Sequence, residues 1–294
     1  MSRTASFKIL LTILVSLGLS SVLSAKLLKP VKNGEKKEIL IVNSKRRLYY
    51  PVEDEGLTYL VQGPTRIEFI SRYPYPGKTK KRQSFKYTII LDKSDSIHVS
   101  HRYKIQSSIK SVQHPNHSYT YSGNYFINIP DGQHEIRVIP PRSKQKYPVL
   151  IRVLSKEFDP PRNKSTVLVP MVSQSARHIN IESSVVSYYS GTKMTPLQVE
   201  VKGNKTLRIY TRLAFEDWMG REESYRIRVR EGKKVIGTYY FSSERSSDAI
   251  IAEEPERVPG KWRSCEIHTP DRGASYTIEV VESDREVLMR FLEY

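Results

Sequence analysis

The run Arg72-Tyr73-Pro74-Tyr75-Pro76-Gly77-Lys78-Thr79-Lys80-Lys81-Arg82 sets two tyrosine rings beside a dense group of cations, in a stretch broken by Pro and Gly. Cations next to flat rings suit an anionic polymer, because the charges attract it and the rings offer stacking faces. Arg72, Lys78, Lys80, Lys81 and Arg82 are the expected ligand cations, with Tyr73 and Tyr75 as stacking surfaces. Further along, Leu213-Ala214-Phe215-Glu216-Asp217-Trp218-Met219-Gly220-Arg221-Glu222-Glu223 keeps aromatic residues, Phe215 and Trp218, and reverses the charge. Two related loops of opposite sign allow different partners.

Four of the seven histidines, His98, His101, His114 and His117, fall within twenty residues. Grouped imidazoles are ligands for zinc or copper. Residues three apart on a strand point to opposite faces, however, so His98 and His101 face one ion only across a bulge. The Pro115-Asn116 turn brings His114 and His117 together more readily. No carboxylate or thiolate partner accompanies them, and the expected cofactor is none. There is no recognised nucleophile with its base and no glycine-rich phosphate loop. Glu53-Asp54-Glu55 and Glu253-Glu254-Pro255-Glu256 lie in expected loops, where solvation explains them. The expectation is a protein without catalytic activity.

The elements that carry these residues repeat. Val61-Gln62-Gly63 with Ile67, Phe69 and Arg72 matches Val201-Lys202-Gly203 with Leu207, Ile209 and Arg212, an offset of 140 residues. Further matches pair Ser84-Phe85-Lys86-Tyr87 with Ser224-Tyr225-Arg226-Ile227 and Tyr49-Tyr50 with Tyr188-Tyr189. Within each copy the pattern has period two, as where Tyr225, Ile227 and Val229 alternate with Arg226, Arg228 and Arg230. One apolar and one wet face result. Leu57, Tyr59 and Val61 face inward in the first copy, as do Leu197, Val199 and Val201 in the second. Strands are also expected over 39–42, 67–71, 85–91, 98–105, 125–129, 134–139 and 148–154. No stretch of the mature chain carries an apolar stripe at helical spacing. The expected fold is all-β, with two tandem immunoglobulin-like β-sandwich domains born of an internal duplication. The first occupies 38–156 and the second 177–294, with a basic lead-in over 26–37. Residues 157–176 form a linker whose apolar part, 166–172, is a possible docking strand.

Residues 1–25 place Arg3 and Lys8 ahead of an apolar run and end on small residues, the layout of a cleavable signal peptide. The chain is therefore expected to be exported, periplasmic or secreted; an uncleaved N-terminal anchor is the alternative. Cys265 is the single cysteine, so no disulfide closes within the chain and packing must supply stability. Net charge is +17. The first copy holds 20 Lys or Arg against 9 Asp or Glu, whereas the second balances 19 against 19. The first copy carries the field. Export argues against nucleic acid, leaving an anionic polysaccharide or lipopolysaccharide as the expected partner, gripped partly through counterion release. Membrane association, without an amphipathic helix, is at most peripheral. The reading is an exported binding protein of the cell envelope whose first domain takes a polyanion. A structural adaptor contacting envelope proteins is the alternative, and a cryptic metal-dependent enzyme is weaker still.

Overall fold

The computed structural model describes residues 25–294 apart from Lys78, Lys80, Ser94, Lys144, residues 159–163 and residues 173–175. The expected signal segment thus lies outside the described residues, bar its last position. Every regular element among the described residues is a strand. In the first copy these are β1 (Lys26–Leu28), β2 (Glu38–Val42), β3 (Lys45–Val52), β4 (Leu57–Arg72), β5 (Gln83–Leu91), β6 (Asp95–Tyr103), β7 (Gly123–Ile139) and β8 (Val149–Lys156). In the second they are β9 (Thr166–Leu168), β10 (Ala176–Ile181), β11 (Ser184–Gly191), β12 (Leu197–Val201), β13 (Thr206–Leu213), β14 (Glu222–Glu231), β15 (Lys234–Glu244), β16 (Arg263–His268), β17 (Ala274–Val280) and β18 (Val287–Glu293). Short strands fill the connections.

The period-two reading holds on its faces. Leu57, Tyr59, Val61, Leu197, Val199, Val201, Tyr225, Ile227 and Val229 are all buried, so alternate positions feed a core between two sheets. In the second copy one sheet runs β12-β17-β14-β15 and the other β10-β11-β18-β13-β16. The first copy repeats this order, except that β4 and β7 are single long strands serving both sheets. The expected strands at 57–61 and 67–71 are thus one. The bend falls where Gly63 meets Pro130: a Cβ on Gly63 would lie 1.6 Å from the Pro130 oxygen, and one on Gly203 would lie 1.9 Å from that of Asp271. The repeated Val-x-Gly is therefore a close-approach requirement.

Counting each half of β4 and β7 separately from β3 onward, one sheet reads 1-8-3-6 and the other 2-7-4-5. First and last strands are neighbours, the order of a jelly roll with its two Greek keys. An immunoglobulin-like sandwich instead pairs its first two strands in one sheet, so that expectation is corrected. Alternation dictates which face a residue takes and leaves the choice of partner strand open.

The recurrence also reaches outside the expected boundaries. β1 pairs with β8 as β9 pairs with β18, and the bridge Lys32↔Thr58 recurs as Val172↔Gln198. The lead-in and the linker are thus equivalent parts of the two units. The excursion between β6 and β7 packs Ile109 and Tyr119 against Leu40, Tyr49 and Leu150 of the sheet, matched by Ala249 and Ile251 with Ile179, Tyr188 and Leu288 in the second copy.

The copies are fused through their sheets. Tyr125, Phe126 and Ile127 of β7 pair in parallel with Thr238, Tyr239 and Tyr240 of β15. Alternation along β7 sends Tyr125 and Ile127 into the first core and Phe126 into the second. Phe126 stacks on Tyr239 at 4.5 Å and 9°. Gly237 makes room for it, since a Cβ there would sit 2.6 Å from the Phe126 ring. Arg226 Nη1 donates across the junction to the His98 carbonyl at 3.4 Å.

Candidate functional site

Among the described residues of the basic loop, Arg72 and Tyr73 are turned inward. Arg72 is buried, its Nη1 donating to the Thr120 carbonyl at 2.6 Å and to Gln106 Oε1 at 3.0 Å. Arg212, its counterpart, donates to the Gly260 carbonyl at 2.8 Å. Both are struts that pin the excursion before the next strand, which is why the sequence repeats them. Tyr73 is buried and stacked on Phe85 at 5.7 Å, its hydroxyl accepting from the Tyr147 N–H. Neither Arg72 nor Tyr73 is available to a ligand, and both assignments are corrected. Tyr75 is half-buried on a short strand paired with His117–Thr120. Lys81 and Arg82 are exposed, and Lys78 and Lys80 lie outside the described residues. Phe215 is buried in the second core beneath the Arg245 guanidinium at 4.8 Å, so it too is withdrawn as a ligand residue. Trp218 is 63% exposed, with the Arg285 guanidinium 4.9 Å from its ring centroid.

Of the histidines, His98 lies on the outer face and bonds Thr88 at 3.0 Å, whereas His101 is buried on the inner face. Burial pushes the His101 pKa down to about 3, with the Arg228 charge adding to the effect. The rings of His114 and His117 stack at 4.8 Å, and His114 Nδ1 lies 3.2 Å from Glu38 Oε1. Among the described residues no three His, Cys, Asp or Glu side chains gather as a metal ion would need.

A cleft of about 1070 Å³ lies between the copies, close to the upper end of the volumes of small-molecule and cofactor sites. Its first-copy wall is the wet face of β4 and β7, with Arg66 and Asn128; its second-copy wall is the open edge of β16 with Tyr210 and Trp262. Arg66 latches the two, its Nε donating to Asn128 Oδ1 at 2.9 Å and its Nη2 to the Ser264 carbonyl at 2.8 Å. Phe158 closes the latch from above, 5.2 Å from the Arg66 guanidinium.

Trp262 is 55% exposed and meets Tyr210 edge-on at 5.6 Å and 63°. Tyr210 is backed by the Arg208 guanidinium at 5.9 Å. This gives a braced indole with an open face, surrounded by Ser242, Ser246, Arg263 and Lys261. The carboxylates that line the cleft are all engaged within the protein. Glu266 takes Arg208 and the Tyr294 hydroxyl, Glu222 takes Ser242 and Asp248 takes Ser246. The Ser246 hydrogen bond holds Asp248 below the usual carboxylate range. At Asp92 partial burial works upward, but the hydrogen bonds from His134 and the Glu135 N–H prevail and hold it low. Carboxylates engaged in this way fix positions and accept hydrogen bonds from hydroxyls. The arrangement offers one open ring face beside fixed donors and acceptors.

Arg66, Tyr210 and Trp262 were not legible as a site. Asn128 occupies a wet position on an expected strand and Arg66 directly precedes another, and only the junction turns that face into a wall.

No family model matches the chain, and no curated protein matches it. Among solved structures it is similar to the tandem CBM51 modules of a family 98 glycoside hydrolase from Streptococcus pneumoniae, with 11% identity over 93% of this chain and 94% of that one, at a TM-score of 0.24. It is likewise similar to the tandem CBM22 modules of Paenibacillus barcinonensis Xyn10C, with 10% identity over 94% and 98% and a TM-score of 0.23. A third likeness, to a structure of the plant peptide RALF23 in complex with FER and LLG2, has 8% identity over 94% and 90% at 0.24. TM-scores this low carry nothing about function.

Proposed function

We propose that this protein is an exported, non-enzymatic glycan-binding protein whose ligand sits in the cleft between the copies, with a sugar face on Trp262. The braced, half-open indole beside fixed hydrogen-bonding groups carries the reading. Apolar C–H faces of a pyranose stack on an aromatic ring, and its hydroxyls need paired donors and acceptors held in place. The excess positive charge of the first copy, including Lys81 and Arg82, favours acidic chains by steering rather than by contact. Affinity for an acidic glycan should then fall with salt while that for a neutral analogue stays level. The test is titration of the full chain with acidic and neutral polysaccharides. Trp262→Ala should weaken binding about tenfold, or about 1.4 kcal/mol; undiminished binding by that variant would remove the cleft as the site.

A second reading, a protein adaptor in an envelope assembly, draws on one observation. Val167, Val169, Met171 and Val172 are 49–67% exposed along the connection between the copies, more apolar surface than a solvated linker requires. It predicts a partner complex that survives high salt and is lost on Val169→Ser with Met171→Ser.

A further inference from the structure

Three rings mark the second copy's end of the cleft: Tyr210, Trp218 and Trp262. Their positions in the first copy hold Ile70, Lys78 and Ser122. Both copies build the same strands, so the fold does not call for these rings. Trp262 and Tyr210 belong to the cleft already described, whereas Trp218 stands beyond its rim.

Trp218 is held as a platform. Arg285 covers one face of the indole, and that guanidinium is itself fixed by Glu223 and Asp284, each at 3.0 Å. The loop beneath is pinned by burial of Phe215 and Met219 and by Arg245, whose Nη2 donates to the carbonyls of Glu216 at 2.8 Å and Met219 at 3.0 Å. The same Arg245 ties the loop to the cleft: its N–H donates to the Arg221 carbonyl at 3.1 Å, and it forms a bridge with Gly260, two residues before Trp262. Arg221, Arg245 and Gly260 thus lie in adjacent backbone rows, about 4.8 Å apart each. The segments that carry the two indoles are therefore separated by two such rows, on the order of 10 Å. Glu222, at the end of the Trp218 loop, and Lys261, next to Trp262, both line the cleft.

We infer that the ligand is a linear oligosaccharide of several sugar units, which leaves the cleft past Lys261 and lays a further ring on the open face of Trp218. This rests on the cleft being the glycan site. Trp218 is not among the residues that line the cleft, so a single sugar stacked on Trp262 leaves it uncovered, and the chemistry selects for chain length.

The test is isothermal titration of the full chain with length series of linear oligosaccharides, one to six units, from a neutral β-glucan and from polygalacturonate. Wild type should gain at least tenfold in affinity once the chain is long enough to span both rings. Trp218→Ala should abolish that gain and leave the shortest bound oligomer unchanged, and Trp218→Phe should restore part of it. Trp262→Ala should weaken every length. An unaltered length dependence in Trp218→Ala, or an equal loss at all lengths, overturns the extension while the cleft stands. Failure of wild type to bind either series, or unaltered binding by Trp262→Ala, overturns the cleft reading and the extension with it.

Discussion

Replacing Phe126 by Ala tests whether the copies are one cooperative body. Phe126 is 8% exposed, sits on a first-copy strand and packs in the second-copy core. Truncation removes a buried phenyl ring, a change that costs about 3–5 kcal/mol in well-packed cores. About 1 kcal/mol of that is the stacking on Tyr239. The upper part of the range applies because Gly237, directly beneath, has no side chain with which to fill the space. The assay is urea unfolding followed by intrinsic fluorescence, with Trp218 and Trp262 both reporting on the second copy. Wild type should unfold in one transition, because the junction's backbone pairs and shared cores couple the copies. Phe126→Ala should shift the second-copy signal to lower urea, ahead of a far-ultraviolet circular dichroism change that includes the first copy. A loss below 1 kcal/mol, or two separated transitions already in wild type, would refute the claim that the junction unites them.

Further outcomes follow from the buried groups. Arg72→Ala and Arg212→Ala should each cost about 1–3 kcal/mol, since each leaves a buried carbonyl without its donor; Arg72→Ala should leave glycan affinity unaltered, and a binding loss at full stability would reinstate the loop as a site. His101, held neutral down to about pH 3 by burial, lets the unfolded chain take up a proton that the folded chain refuses. Stability should therefore fall by about 1.4 kcal/mol per pH unit as pH drops from about 6.5 toward 3, and His101→Phe should flatten that slope in pH-dependent urea melts. Cys265 is buried and its thiol is pushed up to about 12 by burial, so an alkylating reagent at pH 8 should label it only after denaturant is added; rapid native labelling would show that the second core opens.

Strand positions and the duplication could be read from the sequence because period-two alternation and matched spacing are local properties. Tyr59 with Val61 and Val199 with Val201 face inward as the pattern requires. Topology could not be read that way: nothing in Tyr125, Phe126 and Ile127 announces a parallel partner in the other copy. The burial of Arg72 escaped the sequence for a related reason. Arg72 in a basic, aromatic run looks like a ligand residue, yet a buried guanidinium spanning a loop end and an exposed one gripping a polyanion leave the same letter in the chain. Its match at Arg212, beside a loop of opposite charge, was the available sign of a structural role. The cleft needs both copies docked, and its walls come from residues as distant in sequence as Arg66 and Ser264.

The parallel pairing of β7 with β15 has a consequence for recognition kinetics. Two modules joined only by a tether must find their ligand-bearing orientation after each encounter, and a hinged pair closes on what it holds. Here hydrogen-bonded backbone, with Phe126 wedged across it, fixes the opening before any ligand arrives. Little ordering entropy then remains to be lost on binding. Association should run at a rate set by diffusion and charge, free of a slow closing step, and selection among glycans should rest on whether a chain fits an aperture that does not adapt.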